Sequence, residues 1–362
     1  MRRAGKHFTL AILVIASTLA SAQDIASQIR TKIASLQQSL KDHPIGDKDF
    51  AEIASAASDL FKASDDALKR GQVYLSLEKL SQGEDLLAGA QRGADMQAIA
   101  SGGMTVYDSE WGKVSLRLTA LEKESQSRNW NVPLAVQALA ETAQGKATPL
   151  LDGGRGFATA NGPKDGLLYM GEAEGLADFS TFCASLSLPR KPHSPLRSLL
   201  PELQALQTRT NAAFQPPKSI DLHPRFIALN GTLKLAQELD ASRAYAGAFY
   251  TYLEAVRHFG MLDAPLLTAS DQAKLRKGLA AEHKKLAGSA SDDSIAQLFL
   301  ERADSYIAHA DGSASSADEW RGARVILDQV IPAYYAALKP AAALQQASGK
   351  TVEITLVRWP YT

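Results

Sequence analysis

The sequence predicts an all-α protein built from antiparallel helical hairpins, with one short β-strand near its C-terminus. Three observations carry this expectation. Apolar residues recur at steps of three and four along most of the chain, as in Tyr245, Ala248, Phe249, Tyr252, Val256 and Phe259. Amphipathic stretches come in pairs joined by short turns, near Asp240 and Ser242 and again at Arg70-Gly71, so the partners fold back on each other. Clear alternation appears in 351–359, where Val352, Ile354 and Leu356 alternate with Glu353, Thr355 and Val357, the mark of a half-buried strand.

The first element is a processing segment. Arg2, Arg3 and Lys6 form a basic start, residues 10–19 an apolar core, and Ala20-Ser21-Ala22 a small-x-small cleavage site. The apolar run falls short of the ~20 residues a membrane span needs, so the mature chain is expected to begin at Gln23 and to be exported, to the periplasm or beyond. The helices then follow in order. Residues 24–40 carry Ile25, Ile29, Ile33, Leu36 and Leu40 on one stripe, and His43-Pro44-Ile45-Gly46 ends them. Residues 47–68 and 72–90 form a hairpin, and the Gly- and Ala-rich 94–105 reads as a loose connection. Trp111, Val114, Leu118 and Leu121 mark the next helix, ended by the polar run 125–131. Pro133 suits the first turn of a helix over 134–143.

Asp152-Gly153-Gly154-Arg155-Gly156 reads as a loop between helices. A phosphate cradle is the other reading, but the glycine spacing is neither nucleotide-binding pattern and no strand precedes it. Residues 164–186 form a helix with Leu168, Gly171, Gly175, Phe179, Phe182 and Leu186 on one face. Each interior glycine costs ~1 kcal/mol relative to Ala, so this face is expected to meet a neighbouring helix backbone, or, as an alternative, a ligand. Glu172, Glu174 and Asp178 nearby are expected in solvent. Pro189, Pro192 and Pro195, then Pro216-Pro217, flank one helix over 196–213. This gives a leader 1–22, an N-terminal helical half 23–188, a Pro-rich join with one helix 189–222, a C-terminal helical half 223–340, and a tail 341–362. Beyond the hairpin at 233–259 come three more helices. Ser270, then Ser291 or Asp292, serve as caps for the first two, and Ser316-Ala-Asp-Glu319 is a capping box for the third, which Pro332 should kink.

The hairpin at 232–260 resembles the tetratricopeptide repeat. Leu235-Ala236 and Leu239 match that family's first helix, and Tyr245, Ala248, Tyr252 and Ala255 its aromatic–small–large–small second helix. Thr232 and Gly260 depart from the family's usual residues. A fainter copy runs over 60–88, with Leu60, Ala63, Ala67, Val73, Ser76, Leu80 and Gly83. The resemblance implies an α-solenoid of small residues facing large ones, and a function in binding proteins or peptides. Arg243, Tyr245, Tyr250, Tyr252 and Arg257 are then the first candidates for partner contact, although Tyr245 and Tyr252 also suit the core.

Charge and chemistry narrow the classes. Taking Arg2, Arg3 and Lys6 with the leader from 39 basic and 39 acidic residues leaves 36 against 39, no footprint for nucleic acid or an anionic membrane. The single Cys183 excludes an internal disulfide and sits beside Phe182 as a buried thiol would. The seven histidines have no metal-ligand spacing, so no cofactor is expected. Glu254 and His258 read as a solvated pair one turn apart. Glu141-Thr-Ala-Gln-Gly145 with Gly166-Leu-Leu-Tyr-Met170 is faintly similar to lytic transglycosylases, but the Ser after the Glu and the aromatic-Pro element are missing. The expectation is an exported, non-catalytic helical scaffold that binds a protein or peptide. The alternatives are a glycan hydrolase using Glu141 or Glu172/Glu174, and a small-ligand binder using the Gly171/Gly175 face.

Overall fold

The computed structural model describes residues 25–94, 99, 102–186, 190–216, 219–312 and 316–339. The leader and the strand expected over 351–359 lie outside these. Among the described residues every regular element is helical. The first helix, α1, covers 25–42 and buries Ile25, Ile29 and Ile33. Then come α2 (Lys48–Lys69), α3 (Val73–Ala94), α4 (Gly103–Ser127), α5 (Leu134–Asn161), α6 (Pro163–Ser185) and α7 (Leu200–Ala213). A short 3-10 turn, Ile220–Leu222, leads into α8 (His223–Ala241), α9 (Tyr245–Gly260), α10 (Ala269–Ala287) and α11 (Ser294–Gly312). The last coil is α12 (Ala317–Val325), a π turn (Ile326–Val330) and α13 (Ile331–Ala337).

The hairpins α2–α3, α5–α6, α8–α9 and α11–α12 each fold back on themselves, but they do not stack only on chain neighbours. α3 packs along α6 and also meets α11, while α9 lies across α5. Residues of the first and last thirds of the chain therefore share one core, with Phe61, Leu75, Tyr107, Leu134, Phe179, Phe299 and Tyr334 fully buried in it. Burying a side chain of that size is worth about 1.5–3 kcal/mol.

Close helix contact explains the glycines. A Cβ on Gly171 would come within 2.3 Å of the Ala88 carbonyl oxygen, and one on Gly175 within 2.8 Å of the Asp85 Cα. The Gly171/Gly175 face is thus filled by the α3 backbone, which leaves no room there for a ligand. Gly83 sits under the Phe61 ring, where a Cβ would meet the ring at 2.6 Å.

Several sequence expectations are corrected. Residues 152–156 are not a loop. They continue α5, because Gly154 lets Tyr169 and the Gly166 carbonyl approach from α6, and tertiary contact outweighs the glycine penalty. Ser316 makes no side-chain cap bond. Thr268, not Ser270, caps α10, in a capping box with Asp271. Pro332 produces a π turn rather than a simple kink. It has no N–H for the Asp328 carbonyl, and the wider turn ends just before it. Glu254 and His258 are not a solvated pair; both are drawn into the centre by packing against α11. Of the three acids expected in solvent, Asp178 is exposed and bonded to Arg117, whereas Glu172 and Glu174 are half-buried, Glu174 lying 3.7 Å from Arg92.

Candidate functional site

Two hairpin turns are built alike. In the first, Gly71 N–H bonds to the Leu68 carbonyl and Gln72 N–H to the Ala67 carbonyl, both 2.9 Å. In the second, Arg243 N–H bonds to the Asp240 carbonyl at 3.1 Å and Ala244 N–H to the Leu239 carbonyl at 2.9 Å. This six-to-one and four-to-one pattern requires a left-handed residue at its centre. Gly71 adopts it with φ +76°, and Arg243 adopts it with φ +65°.

The helix that follows each turn is capped from a distance. Glu301 of α11 accepts the Leu75 N–H of α3 at 2.8 Å, and Gln297 donates to its other oxygen at 3.1 Å. Glu141 of α5 accepts the Gly247 N–H of α9 at 2.8 Å, and Gln137 donates to its other oxygen at 2.7 Å. Both carboxylates sit against the positive end of a helix, where the first N–H groups lack partners within the helix. Burial pushes both upward, Glu301 to about 8, against the hydrogen bonds that favour the charged form.

The surroundings of the two turns differ. At the first, Arg70 donates to Gln72, and Gln72 Nε2 donates to the Glu301 carbonyl at 3.2 Å, so side chains fill the space. At the second, the corresponding residues are the short Ser242 and Ala244. A cleft of about 770 Å³ opens there, between the end of α4, the face of α5 and the α8–α9 turn. Gln137, Glu141, Gln144 and Thr148 project from α5 along one stripe into it, with Gln126 and Ser125 opposite and Trp130 at its edge. Arg128 stacks over Trp130 at 5.1 Å and pairs with Glu124. Arg243 lines the same cleft, exposed, and its side chain has no hydrogen bond or ion pair among the described residues.

A smaller cleft of about 400 Å³ lies over the centre of the molecule, between α3, α5, α8, α9 and α11. Its floor is an ion cluster. Arg302 donates to Glu78 of α3 and Glu254 of α9, and to the Tyr250 hydroxyl at 3.2 Å. Burial would raise Glu254, but Arg302 and Arg257 hold it down at about 2. Burial, and then the Arg257 charge, lower His258 to about 4. Glu78 and Arg302 each keep a tenth or less of the side chain exposed.

The five residues expected at a partner surface are scattered among these settings. Tyr250 is buried, 6% exposed, with its hydroxyl on Glu78 at 3.3 Å, so it is a core residue rather than a contact. Tyr245 and Tyr252 are half-buried. Arg257 is held by Glu254 at 3.0 Å on the wall of the central cleft. Only Arg243 lies free on the larger cleft. Cys183 is buried, and burial pushes its thiol well up. No group of His, Cys, Asp and Glu among the described residues could hold a metal ion, and no described helix is long and apolar enough to cross a membrane. Sequence reasoning did not pick out the polar stripe at 137, 141, 144 and 148, although its i, i+4, i+7, i+11 spacing in an Ala-rich helix is visible.

None of the known family models, curated proteins or solved structures matches this chain.

Proposed function

We propose that this is an exported, non-catalytic binding protein that takes an extended peptide segment of a partner in the 770 Å³ cleft beside the α8–α9 turn. One observation carries the reading: the α5 wall of the cleft presents neutral amides and a hydroxyl around the deeply buried Glu141, which is already committed at both oxygens to Gln137 and Gly247, while the other carboxylates lining the cleft, Glu122 and Glu238, are exposed to solvent. An acid for glycoside hydrolysis must be free to give its proton to a leaving group, and Glu141 is not. Glu141 has the same Gln-assisted arrangement as Glu301, which lines neither cleft, so its arrangement is accounted for by holding α9. The tetratricopeptide-like reading of the two hairpins, and their origin as two copies, draws support from the shared turn pattern and shared capping, while the contacts of α3 with α11 depart from a linear stack.

The experiment is a binding screen of the mature chain against an immobilised peptide library, beside a Thr148→Trp variant. Thr148 is exposed on the α5 wall, so the indole fills the cleft without entering the core. Selected peptides are expected to lose at least tenfold in affinity on Thr148→Trp with Tm unchanged. Peptides that bind both proteins equally, or turnover of peptidoglycan by the wild type that Glu141→Gln abolishes, would overturn the reading.

A further inference from the structure

We infer that Arg243 sets the ligand chemistry of this cleft by pairing with a carboxylate on the bound peptide, an inference that rests on reading the cleft as a peptide site. The turn itself asks for a residue without a Cβ. Its counterpart in the α2–α3 hairpin has the same hydrogen bonds and uses Gly71 at φ +76°. An arginine in that left-handed backbone is conformationally disfavoured, and the fold obtains nothing in return, since among the described residues its guanidinium has no partner. The other cation of the cleft is already engaged: Arg128 is bound to Glu124 and stacked on Trp130. Arg243 is therefore a free five-donor fork among the described residues of the cleft, paired with neither of the exposed carboxylates that also line it, Glu122 and Glu238, and it shares the cleft with Gln side chains that can bond a peptide backbone. A carboxylate is the planar group that such a fork matches with two parallel hydrogen bonds.

The carboxylate could be a chain terminus or an acidic side chain, and three probes separate them: acetyl-Ala-Ala-Ala with a free C-terminus, its C-terminal amide, and acetyl-Ala-Glu-Ala amide. Binding is read from the Arg243 side-chain Nε–H and Trp130 indole N–H resonances of the mature protein, the former assigned by its loss in Arg243→Gly. Saturable shifts of both signals with one or both carboxylate probes, about tenfold weaker with the neutral amide, are expected. Arg243→Gly should abolish that preference while its Tm is equal to or above the wild type. If Trp130 responds equally to all three probes in both proteins, the cleft binds peptides without Arg243 and the inference falls alone. If no probe shifts either signal, it falls together with the peptide reading. A drop in Tm on Arg243→Gly also overturns it, because the arginine would then be serving the fold.

Discussion

Glu301 accepts the Leu75 backbone N–H at 2.8 Å across 226 residues of chain. That bond ties the last third of the protein to α3, the second helix of the α2–α3 hairpin, and burial raises the Glu301 carboxyl to about 8. The folded protein therefore holds a proton that the unfolded chain has released once pH exceeds 4.5, the ordinary value. Stability should fall as pH rises from about 4.5 through 8. Glu301→Gln keeps an acceptor for Leu75 and removes the titration, so its Tm should vary less than the wild type's between pH 5 and 8.5. Parallel Tm profiles for the two proteins would contradict this. Glu301→Ala should lose about 1–3 kcal/mol even at pH 5, because buried donors are left without partners.

The ion cluster makes a separate prediction. Arg302 neutralises Glu78 and Glu254, both deeply buried. Arg302→Met leaves Glu78 without its cation, while Glu254 keeps Arg257, and should destabilise by about 3–5 kcal/mol in urea unfolding. Adding Glu78→Gln should recover most of that loss, because it is the uncompensated charge that costs energy. A double variant as unstable as the single would place the loss in packing instead.

What the sequence reveals and what it hides follow from the range of the interactions. The all-helical class and the hairpins depend on spacing within a few residues, so Ile25, Ile29 and Ile33, or Leu275 and Leu279, announce their buried faces directly. Arg302 was also visible on an apolar stripe with Ile295, Leu298 and Phe299, but its partners lie on α3 and α9, and no local pattern joins them. For the same reason Glu254 and His258 look like a surface pair when read along one helix alone. Residues 152–156 mislead in the other direction, because glycine signals a turn locally and a close crossing globally, and only α6 decides between them. The cleft was half legible: its polar stripe on α5 is local, whereas its space depends on Ser242 and Ala244 being short where Arg70 and Gln72 are long.

His258 gives the acid side of the pH profile. Burial, and then Arg257, depress it to about 4, below the ordinary 6.5. The unfolded chain takes up this proton first as pH falls, so the neutral folded form loses stability between about 6.5 and 4. Glu254, held at about 2 against the ordinary 4.5, adds its own loss of stability only as pH falls from about 4.5, where the unfolded chain takes up the proton first. His258→Gln should flatten the decline, seen as a smaller change in urea midpoint between pH 6.5 and 4.5. An unchanged slope would assign the acid sensitivity to other groups.

The glycines allow a test with its own control. Gly171 and Gly153 are both interior helix positions, so replacing either with alanine improves local helix propensity by about 0.5–1 kcal/mol. At Gly153 nothing lies within 4 Å of the new methyl, and Gly156 is equally open. Gly153→Ala and Gly156→Ala should each raise stability by roughly that amount. At Gly171 the methyl would lie 2.3 Å from the Ala88 carbonyl oxygen and 2.7 Å from the Arg92 Cβ. Backbone cannot rotate aside as a side chain can, so α3 must be pushed off α6 along a crossing that carries Leu87 and Leu176 in the core. Overpacking of this kind costs about 1–3 kcal/mol or more, which outweighs the propensity gain and reverses the sign. Urea midpoints moving in opposite directions for Gly153→Ala and Gly171→Ala would establish that α3 rests on a bare helix face; a Gly171→Ala protein as stable as wild type would mean the two helices do not approach this closely.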